Sequence, residues 1–269
     1  MVAIVAFVGH WYLSLFCQTF FLHRYAAHKM FTMSKFWERF FYFLTYLSQG
    51  SSYLSPRAYA VLHRMHHAFS DTPRDPHSPH HTKNLFTMMW QTKNLYNAVL
   101  HREQKVERQF DRNYPEWNFI EKLGDSWISR ASWGIAYALF YVFAYLYLDM
   151  HWAFFFLLPI HFLMGPIHGA IVNWSGHKYG YQNYDNHDKS RNSLMLDFLM
   201  MGELFQNNHH KRPNSANFGA KWFEMDPTFP VIKALEKLRI IKMRPVKGAS
   251  SEFETGHDRQ IETTEKVTA

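Results

Sequence analysis

The stretch VLHRMHHAFS, residues 61–70, places three histidines within five positions, at His63, His66 and His67. Residues at i, i+3 and i+4 lie on the same face of an α-helix. Pro56, a residue suited to the first turn of a helix, precedes the stretch. We therefore predict a helix that begins near residue 56 and presents three imidazoles in one direction.

Three further groups repeat this concentration of histidine. They are HRYAAH at residues 23–28, NWSGH at residues 173–177 and QNNHH at residues 206–210. Asn173 and His177 can share a helix face because four residues separate them. His23 and His28 are five apart, which on a continuous α-helix turns them about 140° away from each other. We expect these two to straddle a helix end or to reach one site from different sides.

A metal site with nitrogen ligands is the hypothesis that best explains these groups. The chain has a single cysteine, Cys17, which excludes a disulfide framework and a thiolate cage. Neutral imidazole suits iron, copper and zinc, whereas a structural zinc takes about four ligands, often with cysteine. Eight histidines exceed that demand, so the pattern favours a dinuclear site over structural zinc or chance clustering on a solvated face.

Three stretches without Lys, Arg, Asp or Glu predict membrane-spanning helices, at residues 2–22, 131–148 and 152–174. A bilayer core of about 30 Å needs about 20 apolar residues in a helix. The alternative is a soluble protein with buried core helices, but these average only about 11–12 residues. Residues 35–55 are rich in aromatic side chains and include charged ones. We predict an interfacial helix there, or alternatively a fourth, re-entrant or spanning segment.

The distribution of basic residues predicts the orientation in the membrane. Residues 23–130 and 175–247 carry nearly all the Lys and Arg, and residues 149–151 carry none. By the positive-inside rule, both basic blocks face the cytoplasm, so all four histidine groups meet at the cytoplasmic membrane surface. The net charge of +7 suits anionic lipid headgroups, and no nucleic-acid-binding motif accompanies it.

The predicted fold class is therefore an all-α integral membrane protein. We expect about three to four transmembrane helices and a cytoplasmic helical cap that holds a histidine-rich dinuclear metal site. Residues 1–244 would form a single membrane-embedded domain, with helices and loops over 83–125 and a helix from about 193 to 211. The polar tail at residues 245–269 is expected to be disordered.

HRYAAH, HRMHH, NWSGH and QNNHH together resemble the histidine boxes of the integral-membrane fatty-acid desaturases, the acyl-CoA (delta-9) branch in particular. DPHSP at residues 75–79 strengthens the resemblance, which covers about residues 5–230. It implies a di-iron centre that uses O2, with Asn173 holding a metal-bound water. The implied iron ligands, carried over by position, are His23, His28, His63, His66, His67, His177, His209 and His210.

One position departs from the pattern, because that branch usually has a histidine where this chain has Gln206. Gln206 could bind iron through its carbonyl oxygen, or a water or His168 could fill the place. Otherwise His168 is a hydrogen-bonded helix histidine, and His77 supports the site without binding metal. Ligating histidines are oriented by outer acceptors, for which the candidates are Asp71, Asp75, Asp197, Glu203 and Asn192.

The resemblance implies that the enzyme introduces a cis double bond, at delta-9, into a saturated acyl chain lying in an apolar tunnel. Acyl-CoA is the favoured substrate, with acyl-lipid or acyl carrier protein open. The Trp-x-Arg-Asp before the second box of animal acyl-CoA enzymes is replaced here by residues 59–62, YAVL.

The sequence contains no His-Pro-Gly-Gly motif, the feature that would indicate a fused cytochrome b5. Electrons are therefore expected from a separate ferredoxin-like or cytochrome b5-like protein with its reductase, and the location is expected to be a bacterial inner membrane. Two alternatives stay open. One is a membrane di-iron hydroxylase of alkanes, sterols or carotenoids, and the other is a non-enzymatic metal-binding or receptor-like membrane protein.

Overall fold

The computed structural model describes residues 1–245, and these are predominantly helical, as predicted. The α-helices of this part are α1 (Val2–Phe16), α2 (Lys35–Gln49), α3 (Pro56–Phe69), α4 (Leu85–Leu100), α5 (Asn118–Asp125), α6 (Trp127–Tyr147), α7 (Leu158–Phe162), α8 (Met164–Lys178), α9 (Gln206–Lys211) and α10 (Thr228–Lys237). Strands β1 (Phe31–Met33) and β2 (Ile241–Met243) pair antiparallel. The tail predicted to be disordered lies, from residue 246 onward, outside the described residues, and the single domain over 1–244 stays a prediction.

Helix α1 continues without a break into a π-helix, Cys17–Ala27. A π-helix repeats its hydrogen bonds from i to i+5, and the backbone N–H of His28 donates to the carbonyl of His23 at 3.1 Å. The five-residue spacing of the two histidines is therefore the repeat of this helix. Every residue from Cys17 to Ala27 is buried, which makes this segment the centre of the core.

Within the described residues, one continuous helix, Val2–Ala27, is long and apolar enough to cross a bilayer by length and composition. The second predicted span corresponds to α6, which has 21 residues. It exposes Ile135, Leu139, Phe143 and Leu146 along one side, but its tyrosine-rich composition is less apolar than that of α1. The number of three to four spans stays a prediction.

The third predicted span is not one straight helix, because Trp152–Phe162 and α8 meet at a bend of 74°. Pro166 has no N–H to donate to the carbonyl of Phe162, and the Ser51 hydroxyl donates to that carbonyl instead, at 3.0 Å. The Ser52 hydroxyl accepts the N–H of Gly165 at 3.0 Å. Two serines thus satisfy backbone groups that the break sets free.

Helix α2 is amphipathic. It packs one face on α1 and the π-helix, and exposes Phe36, Phe40, Phe43 and Leu47 at helical spacing on the other. It ends at Gln49 and not near residue 55, because Gly50 leaves the helical conformation with φ 50°. A side chain at position 50 would collide with Tyr137, so the position suits glycine. An exposed apolar row of this kind suits lipid, and its interfacial position stays a prediction.

The predicted helix over 193–211 is wrong, since only α9 is helical there. The Asp197 carboxylate accepts the backbone N–H groups of Met200 and Leu204, at 2.9 and 2.8 Å. These bonds hold the chain in tight turns, which continue at Gly202 with φ 91°. Aspartate competes in this way with the helical hydrogen-bond pattern, so the helix begins only after the turns.

Candidate metal centre

Five histidines from three elements converge in the core, and we call them the five-histidine group. The π-helix and its end supply His23 and His28, α3 supplies His63 and His67, and α9 supplies His209. One ring nitrogen from each lies within 4.8 Å of the others. The Nε2 atoms of His28 and His63 are 2.7 Å apart, and those of His67 and His209 are 3.0 Å apart.

A second set, the three-histidine group, adjoins the first and consists of His66, His177 and His210. The Nε2 atoms of His66 and His210 are 3.2 Å apart. The ring centroids of His67 and His210, one from each group, are 4.5 Å apart. Because α3 has His63 and His67 on one flank and His66 on the next, a single helix contributes to both groups.

Burial keeps four imidazoles of the five-histidine group neutral. Desolvation, followed by the charge of neighbouring imidazoles, lowers the pKa of His28, His63, His67 and His209 well below the usual value. Neutral rings offer lone pairs, and several lone pairs at hydrogen-bond distance repel one another unless a cation lies between them. The Nε2 of His177 is buried and has no hydrogen bond within the described part of the chain. The donor set therefore fits two metal ions that prefer nitrogen ligands.

Four carboxylates orient four of the rings. The Nδ1 atoms of His23, His66, His177 and His210 lie 2.6–2.9 Å from oxygens of Glu203, Asp75, Asp71 and Asp188, in that order. Each imidazole donates from Nδ1, so its Nε2 lone pair points into the centre. Burial opposes the ionisation of these aspartates, but the paired histidines outweigh it and hold the pKa of each one below its usual range.

Three of the predicted orienting residues, Asp71, Asp75 and Glu203, thus lie where the sequence indicated. The other two serve elsewhere: Asp197 binds backbone N–H groups, and the Asn192 amide donates to Asn208 at 3.0 Å. The sequence interpretation missed Asp188. Its signal was an acidic residue in the polar loop between NWSGH and QNNHH.

The remaining predicted site residues lie at the margin of the centre. The Gln206 amide donates to the Glu203 carbonyl at 2.7 Å, and Asn173 lines a neighbouring cavity. His168 is buried outside both groups, edge-on to Trp11 at 4.5 Å. Neither of its ring nitrogens has a hydrogen bond in the described structure, so the hydrogen-bonded role is wrong.

His77 is also buried with both ring nitrogens unbonded, and its ring packs 4.4 Å from that of His66. Together with Asp75 these two histidines form a third small cluster, on the side of His66 that faces its carboxylate. His77 lines the same cavity as Asn173. Its position beside the three-histidine group agrees with a supporting place, and its lack of hydrogen bonds was not predicted.

A cavity of about 480 Å³ reaches the centre. His63, Asn173 and Gln206 lie at its inner end, and the broken helix pair α7–α8 forms one wall. Lys93 and Arg130 line it as well, and Lys93 is exposed. The apolar part of the wall is formed by Leu15, Leu54, Leu62, Phe162, Leu163 and Val172. The cavity is thus a mainly apolar passage between the surface and the five-histidine group.

Comparison with known proteins agrees with this arrangement. Residues 1–246 match the sequence model of the family described as fatty acid desaturase. The chain is 28% identical to a hex-5-enoyl-[acyl-carrier protein] acetylenase of Moorena producens, over 87% of this chain and 74% of that protein. It is 30% identical to an acyl-CoA 5-desaturase of Anemone leveillei, over 83% of this chain and 65% of that protein.

A third relative is an sn-1 stearoyl-lipid 9-desaturase of Synechocystis, 28% identical over 82% of this chain and 64% of that protein. The match to the family covers both histidine groups and the cavity beside them. The chain therefore belongs to the fatty acid desaturase family, and it is an oxidoreductase.

Proposed function

We propose that this protein is an O2-dependent fatty-acyl desaturase that introduces a cis double bond, at delta-9, into a saturated acyl chain. The observation that carries the proposal is the pair of adjoining histidine groups, one of which lines a mainly apolar cavity through His63. Hydrogens of an unactivated methylene pair are not acidic, so side-chain acids and bases cannot remove them. Iron with O2 supplies the oxidising power for this chemistry when it is bound.

The five-histidine group would hold one iron and the three-histidine group the other. The second group has fewer nitrogen donors, and the first lies at the cavity wall through His63. Asn173, half-buried in the cavity wall, would hold a metal-bound water. Gln206 serves in this proposal as a packing residue, because its amide already donates to a backbone carbonyl.

The residues of the cavity position the substrate and exclude water. Leu54, Phe162 and Val172 would contact the methylene chain, which gains about 0.8 kcal/mol per buried CH2 group. Lys93 and Arg130 lie on the polar part of the lining, where they suit the phosphate or carbonyl groups of an acyl carrier. We favour acyl-CoA. The names of the relatives include acyl chains carried on acyl carrier protein, on CoA and on lipid. Activity assays with each of these three substrates would identify the carrier that this chain uses.

We further propose that the protein lies in a bacterial inner membrane with the metal centre on the cytoplasmic side. The support is the apolar helix Val2–Ala27, which ends beside the five-histidine group, and the basic residues that flank the apolar stretches. Electrons would come from a separate ferredoxin-like or cytochrome b5-like protein with its reductase.

Expression in a host without its own desaturase, followed by mass spectrometry of fatty acids, tests the proposal. New monoenes are expected, and fragmentation gives the position of the double bond. The His66→Ala variant should give none, whereas His151→Ala, an exposed histidine outside both groups, should retain activity. Hydroxylated lipids in place of monoenes would select the hydroxylase alternative. Unchanged lipids beside a metal-loaded protein would contradict both.

A further inference from the structure

His28, a proposed iron ligand, lacks the outer carboxylate partner that four other histidines of the centre have. His23, His66, His177 and His210 each donate from Nδ1 to a carboxylate. The Nδ1 of His28 is buried and has no hydrogen bond to any residue in the described range 1–245. His209 shares this property, but its ring packs 4.4 Å from Phe218 in the core, where no outside group can reach it.

His28 borders a cleft of about 380 Å³ that no other histidine of the two groups lines. Four cationic residues line the same cleft: Lys29, Arg64, Arg112 and Arg244. The described residues that line it include no Asp or Glu. Asp111, one residue before Arg112, is held elsewhere by the guanidinium of Arg57 at 2.9 Å. The cleft therefore combines positive charge with an unused imidazole N–H.

The fold sets these cations in place. Arg64 of α3 is buried and donates to the carbonyls of Ala26 and Ala27, each at 2.9 Å, so its charge lies at the floor of the cleft. The backbone N–H of Arg244 donates to the carbonyl of Met30 at 3.0 Å. This bond continues the β1–β2 pairing and brings Arg244 to the rim, where Arg112 is also exposed.

We propose that this cleft receives a carboxylate side chain from an acidic partner protein, and that the carboxylate accepts a hydrogen bond from His28 Nδ1. The contact would repeat, from outside the chain, the pairing that Glu203 and the three aspartates provide within it. Charge-assisted hydrogen bonds of this kind are about twice as strong as neutral ones. Arg112 and Arg244 would steer the partner to the cleft.

The partner's identity follows from the position of His28 and rests on the proposed function. The Nε2 of His28 lies 2.7 Å from that of His63 in the five-histidine group, so a group bound at Nδ1 is separated from the centre by one imidazole ring. A partner that delivers electrons gains from such a short route. We therefore assign the cleft to the electron-donor protein, through its acidic surface.

The test uses the iron-loaded full chain in nanodiscs of phosphatidylcholine, with deca-glutamate as the probe and isothermal titration calorimetry as the measurement. The Arg112→Ala/Arg244→Ala double variant is compared with Lys122→Ala/Lys221→Ala, which removes the same charge from exposed positions outside the cleft. Iron content and circular dichroism establish that both variants fold.

The cleft variant should bind deca-glutamate about tenfold more weakly or worse, as expected for losing two hydrogen bonds to charged groups. The control should lose less than about threefold, as exposed charges do. Equal loss in both variants overturns the proposal, because it shows non-specific attraction. Displacement of the peptide by equimolar inorganic phosphate also overturns it, because the cleft would then take a small free anion. No fatty acid is present, so the result is independent of desaturation.

Discussion

The two histidine groups, each of which could hold a metal ion, are built in different ways. The five-histidine group has many nitrogen donors, and one of them, His23, donates to a carboxylate among the described residues. The three-histidine group has few donors, but each one donates to a carboxylate. The first therefore depends on the number of its ligands and the second on negative charge behind each ligand.

The largest expected effect is the loss of a donor from the smaller group. His66→Ala leaves two of three imidazoles and should lower iron affinity there by more than about 100-fold, since loss of an outer partner alone lowers metal affinity about 10–100-fold. His67→Ala leaves four donors in the larger group and should retain more iron. Elemental analysis of purified variants measures this, and equal iron loss in the two variants would remove the distinction between the groups.

Glu203 gives the next largest effect, on stability. Besides His23 it pairs with Arg24 at 3.1 Å, and Arg24 also pairs with Asp226 at 2.8 Å in the core. Removal of one partner from a buried ion network lowers the free energy of unfolding by about 3–5 kcal/mol, so Glu203→Gln should do so. Chemical denaturation in detergent checks this value. A change below about 1 kcal/mol would show that the network is dispensable.

Asp188 should behave differently, because its carboxylate serves His210 and local Ser190 and, among residues 1–245, pairs with no buried arginine. Asp188→Asn is expected to lower iron affinity at the three-histidine group about 10–100-fold while stability changes little. Competition with a chelator measures the affinity. Asp185→Asn, three residues earlier and exposed, is the matched control. If both variants lose iron equally, Asp188 has no special link to His210.

The smallest effect is expected at Gln206. Gln206→Ala removes one hydrogen bond to the Glu203 carbonyl, which contributes about 1 kcal/mol, and it should reduce monoene formation less than His209→Ala. Product yield per iron-loaded protein compares the two. Complete loss of product and of one iron in Gln206→Ala would show that Gln206 binds metal through its amide oxygen.

The sequence predicted the parts of the centre that follow from helical spacing. The i, i+3, i+4 pattern of His63, His66 and His67 required only that α3 form, and Pro56 starts it as expected. The five-residue spacing of His23 and His28 matches the repeat of a π-helix. The α-helical period, by contrast, puts these two histidines on different faces. A π-helix is rare, so it is seldom considered.

Long-range contacts account for the rest. Asp188 meets His210 through the folding of a polar loop, and no local period marks such a contact. The bend before Pro166 depends on Ser51 and Ser52, more than 100 residues away in sequence. The apolar run at residues 193–205 suggested a helix, but one side chain, Asp197, turns its backbone into loops. Tertiary partners decided each of these features.

The central claim is that two nitrogen-rich groups hold two iron ions. Iron K-edge X-ray absorption, combined with elemental analysis of the anaerobically purified chain, tests it most directly. The account predicts two iron ions per chain, with imidazole nitrogen dominating both coordination spheres. One ion per chain, or zinc at both places when the host supplies iron and zinc equally, would contradict it.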